Sequence, residues 1–451
     1  MPWTCEAQPW ETHSWGEQMG ILEVSGTVIG VLAIWLLAVS VVKLMFVPLA
    51  AWFEIRRRIV SRAASSGASR GRARIEPRKH AEAPLVSVIV PAYNEDVVLE
   101  KCVGSILRSA YPRIEVIIID DGSTDTTAEV MVRLACAHSN VFAIHQHNSG
   151  KGAALNRGIA EAGGEVLLFV DADGLFTART IDWLLLGLSD PTVGAVCGDD
   201  RPANPDRPLT QLLSVMSHVG TGLVRRALSL LHCLPIVSGN IGAFRADLVR
   251  AIGGFREDTI GEDLELTWRI YDAGYRVEFQ PRAIVYAESP STLRGLWRQR
   301  VRWARGLLQT TRIHRRLIGN LNFGTFGVFL ALNTFAMIIA PPLQILVLIG
   351  LLTVGTGQSA MPTDALSLIG WLGIAVSAAL VLFALGLNKA WADARFMWTL
   401  PLWPVYSLGM GLTMVSAIAH ELRGTPARWN KLQRTGVVTQ GVSAGIARSE
   451  A

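Results

Sequence analysis

Glu165-Val-Leu-Leu-Phe-Val-Asp171-Ala-Asp173-Gly174 is the stretch that decides the fold. An unbroken apolar run, short for a helix, stops abruptly at two carboxylates and a glycine. Such a run reads as a strand buried on both faces. Two earlier stretches repeat it, Val86-Ser-Val-Ile-Val90 and Ile114-Glu-Val-Ile-Ile-Ile119. Helical patterns fit between them, at Val97 to Ser109, Thr127 to Ala137 and Ala154 to Ala162. The alternation predicts an α/β fold, a mostly parallel sheet with helices on both faces. Ligands of such sheets sit beyond the carboxyl ends of the strands. The residues that follow these strands are therefore the first candidates for function.

Outside this segment the composition changes. Half of the 451 residues are hydrophobic and 18% are charged, with a mean hydropathy of +0.33. An ordinary soluble protein is about 25% charged, so the composition argues against a wholly soluble chain and rules out a disordered or collagen-like one. Yet 37 acidic and 42 basic residues are too many for a chain that is all membrane. Val24 to Val42 lacks charge and, with Leu44 to Phe53, is long enough to cross a bilayer, which takes about 20 apolar residues. The preceding residues carry Glu6, Glu11, Glu17 and Glu23 but no Lys or Arg, unlike a signal-peptide leader. Arg56, Arg57, Arg58, Arg62, Arg70, Arg72, Arg74, Arg78 and Lys79 crowd the stretch that follows. Acidic before and basic after predicts an outside N-terminus and a cytoplasmic domain. No aromatics interleave the basic residues, as a single-strand-binding surface requires. The net charge of +5 is thus read as topology, with no nucleic-acid partner.

The organisation predicted is an extracytoplasmic 1–23, a transmembrane helix over 24–53 and a basic cytoplasmic linker over 54–84. A globular domain over 85–316, a transmembrane region over 317–420 and a basic tail over 421–451 follow. Phe323 to Val354, Ala365 to Leu387 and Phe396 to Ala419 supply about three spans. Three simple crossings put the tail outside, whereas Arg423, Arg428, Lys431 and Arg434 favour the inside. A re-entrant or doubled element at Pro341-Pro342 would restore a cytoplasmic tail. Cys5, Cys102, Cys136, Cys197 and Cys233 show no CxxC or zinc spacing and are read as buried, reduced thiols.

Each strand of the domain leads into a candidate motif. After the second comes Asp120-Asp121-Gly-Ser-Thr-Asp125, acids followed by glycine and capping hydroxyls, suited to a uracil or ribose. In extended backbone Asp171 and Asp173 project to one side, where a divalent cation shared with substrate phosphates would relieve their repulsion. Ser149-Gly-Lys151 lacks the GxxxxGK[ST] pattern, but Lys151 and Arg157 near a helix start suit a diphosphate. Gly261-Glu262-Asp263 opens an amphipathic helix, where acids are also ordinary partners of the helix dipole. Gln299-Arg-Val-Arg302-Trp303 places a guanidinium and a sugar-stacking indole on one helical surface. It also reads as a basic interfacial helix.

The ordered set Asp120-Asp121-Gly-Ser, Asp171-Ala-Asp173, Glu262-Asp263 and Gln299-Arg-Val-Arg302-Trp303 resembles the processive family-2 glycosyltransferases of the cellulose, hyaluronan, chitin and bacterial poly-N-acetylglucosamine synthase group. The resemblance implies a GT-A fold, a UDP-sugar donor, Mg²⁺ or Mn²⁺, and inversion at the anomeric carbon. Within it, Asp120, Asp121, Lys151 and Asp171 belong to nucleotide binding, with Asp121 on the uridine. Asp171 and Asp173 hold metal and diphosphate. Asp263, beside Glu262, is the general base, and Gln299, Arg302 and Trp303 bind the acceptor end and the diphosphate. Gly261 departs from the Thr of many relatives. Gly198 to Pro205, Ser238-Gly-Asn240 and Arg282 to Gly306 look most like the poly-N-acetylglucosamine branch. UDP-N-acetylglucosamine is thus the favoured donor, with UDP-glucose the alternative.

The function expected is a multi-pass enzyme of the inner (plasma) membrane that extends a β-linked polysaccharide or a glycolipid acceptor. The spans are fewer than a cellulose synthase suggests, which leaves room for an accessory export subunit. Two other readings stand beside it: transfer of one sugar to a lipid-linked acceptor, and a non-catalytic membrane scaffold.

Overall fold

The three apolar runs pair in parallel as predicted, and five further strands join them. The computed structural model describes residues 34, 37–67, 83–354, 363–426, 434–439 and 442. Its strands are β1 (Val86–Ala92), β2 (Ile114–Asp120), β3 (Val141–His145), β4 (Val166–Phe169), β5 (Leu175–Phe176), β6 (Val193–Pro202), β7 (Gly242–Arg245) and β8 (Arg276–Ala287). They form one sheet in the order β3-β2-β1-β4-β7-β6-β8-β5. Pairing is parallel for β1 with β2 and β4, for β2 with β3, and for β6 with β8. It is antiparallel for β7 with both neighbours and for β5 with β8. The sheet is therefore mixed. The later strands carry polar residues or are very short, so no continuous apolar run announces them.

Period-two alternation divides each apolar run between two cores. Val88, Val90, Ile118 and Leu168 pack with the Leu99–Leu107 helix on one face. Ile89, Ile117, Leu167 and Phe169 pack with the Lys151–Glu161 helix on the other. Both faces are covered, and the carboxyl ends of β1, β2 and β4 are left at one edge. Among the cysteines, Cys102, Cys197 and Cys233 are buried as expected, whereas Cys136 is exposed near the end of its helix; Cys5 lies outside the described residues.

Four described helices are long and apolar enough to cross a membrane: Leu37–Ile59, Leu321–Gly350, Leu368–Asn388 and Trp391–Leu422. The start of the expected 24–53 span lies outside the described residues. The linker expected from residue 54 begins instead as helix, because Phe46–Gly67 runs on through the arginines until its first glycine. Pro341-Pro342 does not double the chain back. The helix Gly324–Thr334 continues through a π-type turn at Phe335–Ile339 into Ala340–Val354. The widened turn lies where the missing proline N–H groups leave carbonyls without donors.

The tail lies on the globular domain. Thr439 donates its N–H to the Ala203 carbonyl at 3.0 Å, and Lys101 Nζ donates to the Gly436 carbonyl at 2.9 Å. Contact with the domain is the arrangement that the basic tail residues favoured, against the count of three simple crossings. The Trp391–Leu422 helix touches the domain near both ends, through His218 and Asp393 at 2.9 Å and Arg305 and Glu421 at 2.7 Å. At the junction Arg226 donates to Glu54 at 2.8 Å and to Asn388 at 2.7 Å. Its neighbour Arg225 reaches Asp200 on β6 at 2.6 Å. Adjacent arginines thus tie the apolar helices to the sheet.

Candidate active site

The loops after β1 and β2 are sewn together. Asn94, with a positive φ of 54°, accepts the Thr124 N–H at 2.7 Å, and its own N–H reaches Ser123 Oγ at 2.9 Å. Gly122 turns the second loop at a φ of 75°. A Cβ there would meet the Asn148 backbone at 2.8 Å, so glycine is required twice over. Asp120 is fully buried. It accepts the Ser123 N–H at 2.9 Å and faces His145 Nδ1 at 2.6 Å, holding the turn from inside. Asp121 accepts from Gln146 Nε2, from the Ser149 N–H and from the Gly150 N–H at 2.8 to 2.9 Å. It thereby shapes the start of the Lys151–Glu161 helix.

Lys151, at the first turn of that helix, joins β4 to the acid pair. Its Nζ lies 2.7 Å from Asp171 Oδ1 and 3.1 Å from Glu262 Oε1. Burial opposes its charge, but Asp171, Glu262 and Asp263 together hold its pKa above that of an ordinary lysine. Asp263 accepts the Gly239 N–H at 3.2 Å and the Leu264 N–H at 2.8 Å. Burial, reinforced by the neighbouring Glu262, pushes its pKa up to about 6, against the pull of Lys151. Lys151, Ser238, Gly239, Glu262 and Asp263 share one pocket with Phe169 and Phe244. The Ser238-Gly-Asn240 turn thus supplies a backbone donor to the acid pair.

Asp171 and Asp173 do not lie in extended backbone. β4 ends at Phe169, and the chain turns, with the Gly174 N–H on the Asp171 carbonyl at 2.9 Å. The two carboxylates consequently meet different cations. Asp171 pairs with Lys151. Asp173 forms a two-pronged pair with Arg434 of the tail, at 2.9 and 3.0 Å, and accepts the Glu288 N–H at 2.8 Å. Burial raises the Asp173 pKa, opposed by Arg434 and reinforced by Asp171. Sequence reasoning missed Glu95, Glu288 and Arg434 here. Glu95 stands three residues past the end of β1, where candidate residues are sought, but nothing local points to the other two.

Glu262 and Asp263 open the Glu262–Asp272 helix, and Gln299, Arg302 and Trp303 lie on the Leu293–Ile313 helix. The helices touch through two glycines: a Cβ on Gly261 would lie 2.9 Å from Gly306 Cα. This accounts for Gly261 where Thr was expected, since any side chain would part the helices. Gln309 Oε1 accepts the Ile260 N–H at 3.2 Å. Arg302 and Trp303 thus lie within a turn of a contact that adjoins the acid pair. Gln299 Oε1 is buried without a hydrogen-bond partner among the described residues. Trp303 is half exposed, with the Arg300 guanidinium 4.1 Å from its ring centroid.

The donor set fits a hard divalent cation. Asp171 and Asp173 are each already paired with a protein cation. Among the described residues no group of three or more His, Cys, Asp or Glu side chains is disposed for a metal. A cation here would complete its oxygen shell from substrate phosphates and water, as Mg²⁺ commonly does.

This architecture, a mixed sheet with acidic turns at one edge, is the GT-A fold. The mannosyltransferase PcManGT from Pyrobaculum calidifontis, solved in complex with GDP-Man and Mn²⁺, shares it with a TM-score of 0.59. That match covers 88% of this chain and 100% of the other, at 24% identity. Residues 83–306 match the family described as "Glycosyltransferase like family 2", and this segment is a family-2 glycosyltransferase domain. The poly-beta-1,6-N-acetyl-D-glucosamine synthase of Staphylococcus aureus (strain COL) is 32% identical over 222 residues, 49% of this chain and 54% of that one. The synthase of the same name from Staphylococcus epidermidis is 31% identical over 229 residues, 51% and 56% of the two chains. The chain spans about half the length of the curated relatives it matches.

Proposed function

We propose that this protein is a membrane-bound, inverting glycosyltransferase that extends a β-linked polysaccharide from UDP-N-acetylglucosamine. The observation that carries the reading is the gathering of Asp171 and Glu262 on Lys151 beside Asp263, with the helix of Gln299–Trp303 meeting the acid-pair helix at Gly261 and Gly306. Asp263 is the general base: a carboxylate with a pKa near 6 takes the acceptor hydroxyl proton and is mostly ionised at neutral pH. Lys151 holds Asp171 and the acid pair in register and offers charge to the leaving diphosphate. Asp121 and the turn held by Asp120 receive the uridine. Asp171 and Asp173 would hold Mg²⁺ or Mn²⁺, which when bound neutralises charge on the departing diphosphate. Gln299, Arg302 and Trp303 seat the acceptor end. The tail on the domain and the basic stretch after the first apolar helix support a cytoplasmic site in a plasma-membrane protein. The proposed domain spans 85–316 and is flanked by spans.

Membranes containing the protein, given labelled UDP-N-acetylglucosamine and Mn²⁺, are expected to release UDP and build a ladder of products. A single glycolipid spot would replace extension by one-sugar transfer. No UDP release from any UDP-sugar, by wild type or Asp263→Asn, would leave only a scaffold.

A further inference from the structure

Residues 434–439 are the last extended stretch of the described chain, and they lie across the proposed cation site. Contacts to five residues of the domain fix this strap. Arg434 forks onto both oxygens of Asp173 and approaches Glu95 Oε2 at 3.8 Å. The Glu288 carboxylate accepts the Thr435 N–H at 2.8 Å and the Gly436 N–H at 3.2 Å. Lys101 binds the Gly436 carbonyl, and Thr439 bonds backbone to backbone with Ala203. The Arg434 side chain is 14% exposed, so the guanidinium is sealed against the carboxylate it pairs with.

We infer that the strap is an autoinhibitory latch in which Arg434 occupies the Asp173 oxygens that a divalent cation–nucleotide complex needs. The inference rests on the functional reading above. A two-pronged guanidinium engages both carboxylate oxygens, the same atoms that would be offered to a metal. The two cations therefore compete for one ligand, and the strap must release Asp173 before the site can be loaded. The remaining contacts decide how often it does so. Glu288 meets Asp173 only through its backbone N–H, while its carboxylate holds Thr435 and Gly436, so a side-chain change there adjusts the latch and leaves the hydrogen bond to Asp173 in place. Apparent affinity for the loading complex is the intrinsic affinity reduced by the fraction of molecules with the strap released.

The test is UDP-dependent Mn²⁺ binding by the purified full-length protein in detergent, read from the electron paramagnetic resonance of free Mn²⁺. Arg434→Ala removes the competing cation, and Glu288→Gln weakens the carboxylate grip on the Thr435 and Gly436 N–H groups. Both are expected to bind Mn²⁺ with UDP about fivefold or more tightly than wild type, Arg434→Ala the more so. Unchanged or weaker binding in both variants overturns the latch and makes Arg434 a ligand-binding or purely structural group. Asp173→Asn separates the two levels of the argument. If wild type binds and Asp173→Asn does not, the site stands and the variants judge the latch. If wild type shows no UDP-dependent binding and Asp173→Asn changes nothing, the functional reading falls and the latch with it.

Discussion

Gly261 and Gly306 meet backbone to backbone, with room for no side chain on either: a Cβ built on one lies 2.9 Å from the Cα of the other. This contact sets the distance between the helix that begins with the acid pair and the helix that carries Gln299, Arg302 and Trp303. Gly306→Ala should push the helices apart by a fraction of an ångström to an ångström. With that helix as the proposed acceptor-positioning element, a displacement of that size is expected to cost about a hundredfold in rate. Steady-state UDP release should show a lowered kcat, with the protein still folded by thermal melting.

With Asp263 as the proposed base, its raised pKa is expected to set the acid limb of the rate profile. A base must be unprotonated, so kcat/KM should fall as pH drops through about 6 and flatten above it. Asp263→Asn should lose roughly a thousandfold in kcat and abolish that limb. A limb that survives in the variant would assign the base elsewhere.

Lys151 pulls the Asp263 pKa down against burial and Glu262. Lys151→Met removes that pull. The acid limb should then move to higher pH, together with a lower plateau from the lost charge on the diphosphate. An unshifted limb would mean that the lysine and the base do not sense each other in the working enzyme.

Glu54 and Arg226 form a buried pair at the membrane junction, 7% and 2% exposed. Glu54→Leu leaves the guanidinium buried with neutral partners only. Breaking a buried pair from one side costs about 3 kcal/mol or more, which should appear as a clear fall in the thermal midpoint in detergent. The double variant Glu54→Leu with Arg226→Met should recover much of it, because no charge is then stranded.

The strands β1, β2 and β4 and the acidic residues that follow them were legible because burial on both faces writes a local apolar run. The apolar spans were legible because membrane solubility is a matter of composition over a short window. β6, β7 and β8 were not, since their partners come from far along the chain and their faces carry mixed residues.

Sequence alone therefore determined the α/β alternation, the apolar helices, the motif order and the family resemblance, all properties of local pattern. Tertiary structure decided which carboxylate meets which cation. It divided Asp171 and Asp173 between Lys151 and Arg434 because the chain turns after Phe169 instead of running straight. It also brought Arg434 to Asp173 across 261 residues. No periodicity encodes such a pairing, because it depends on how separately built elements pack.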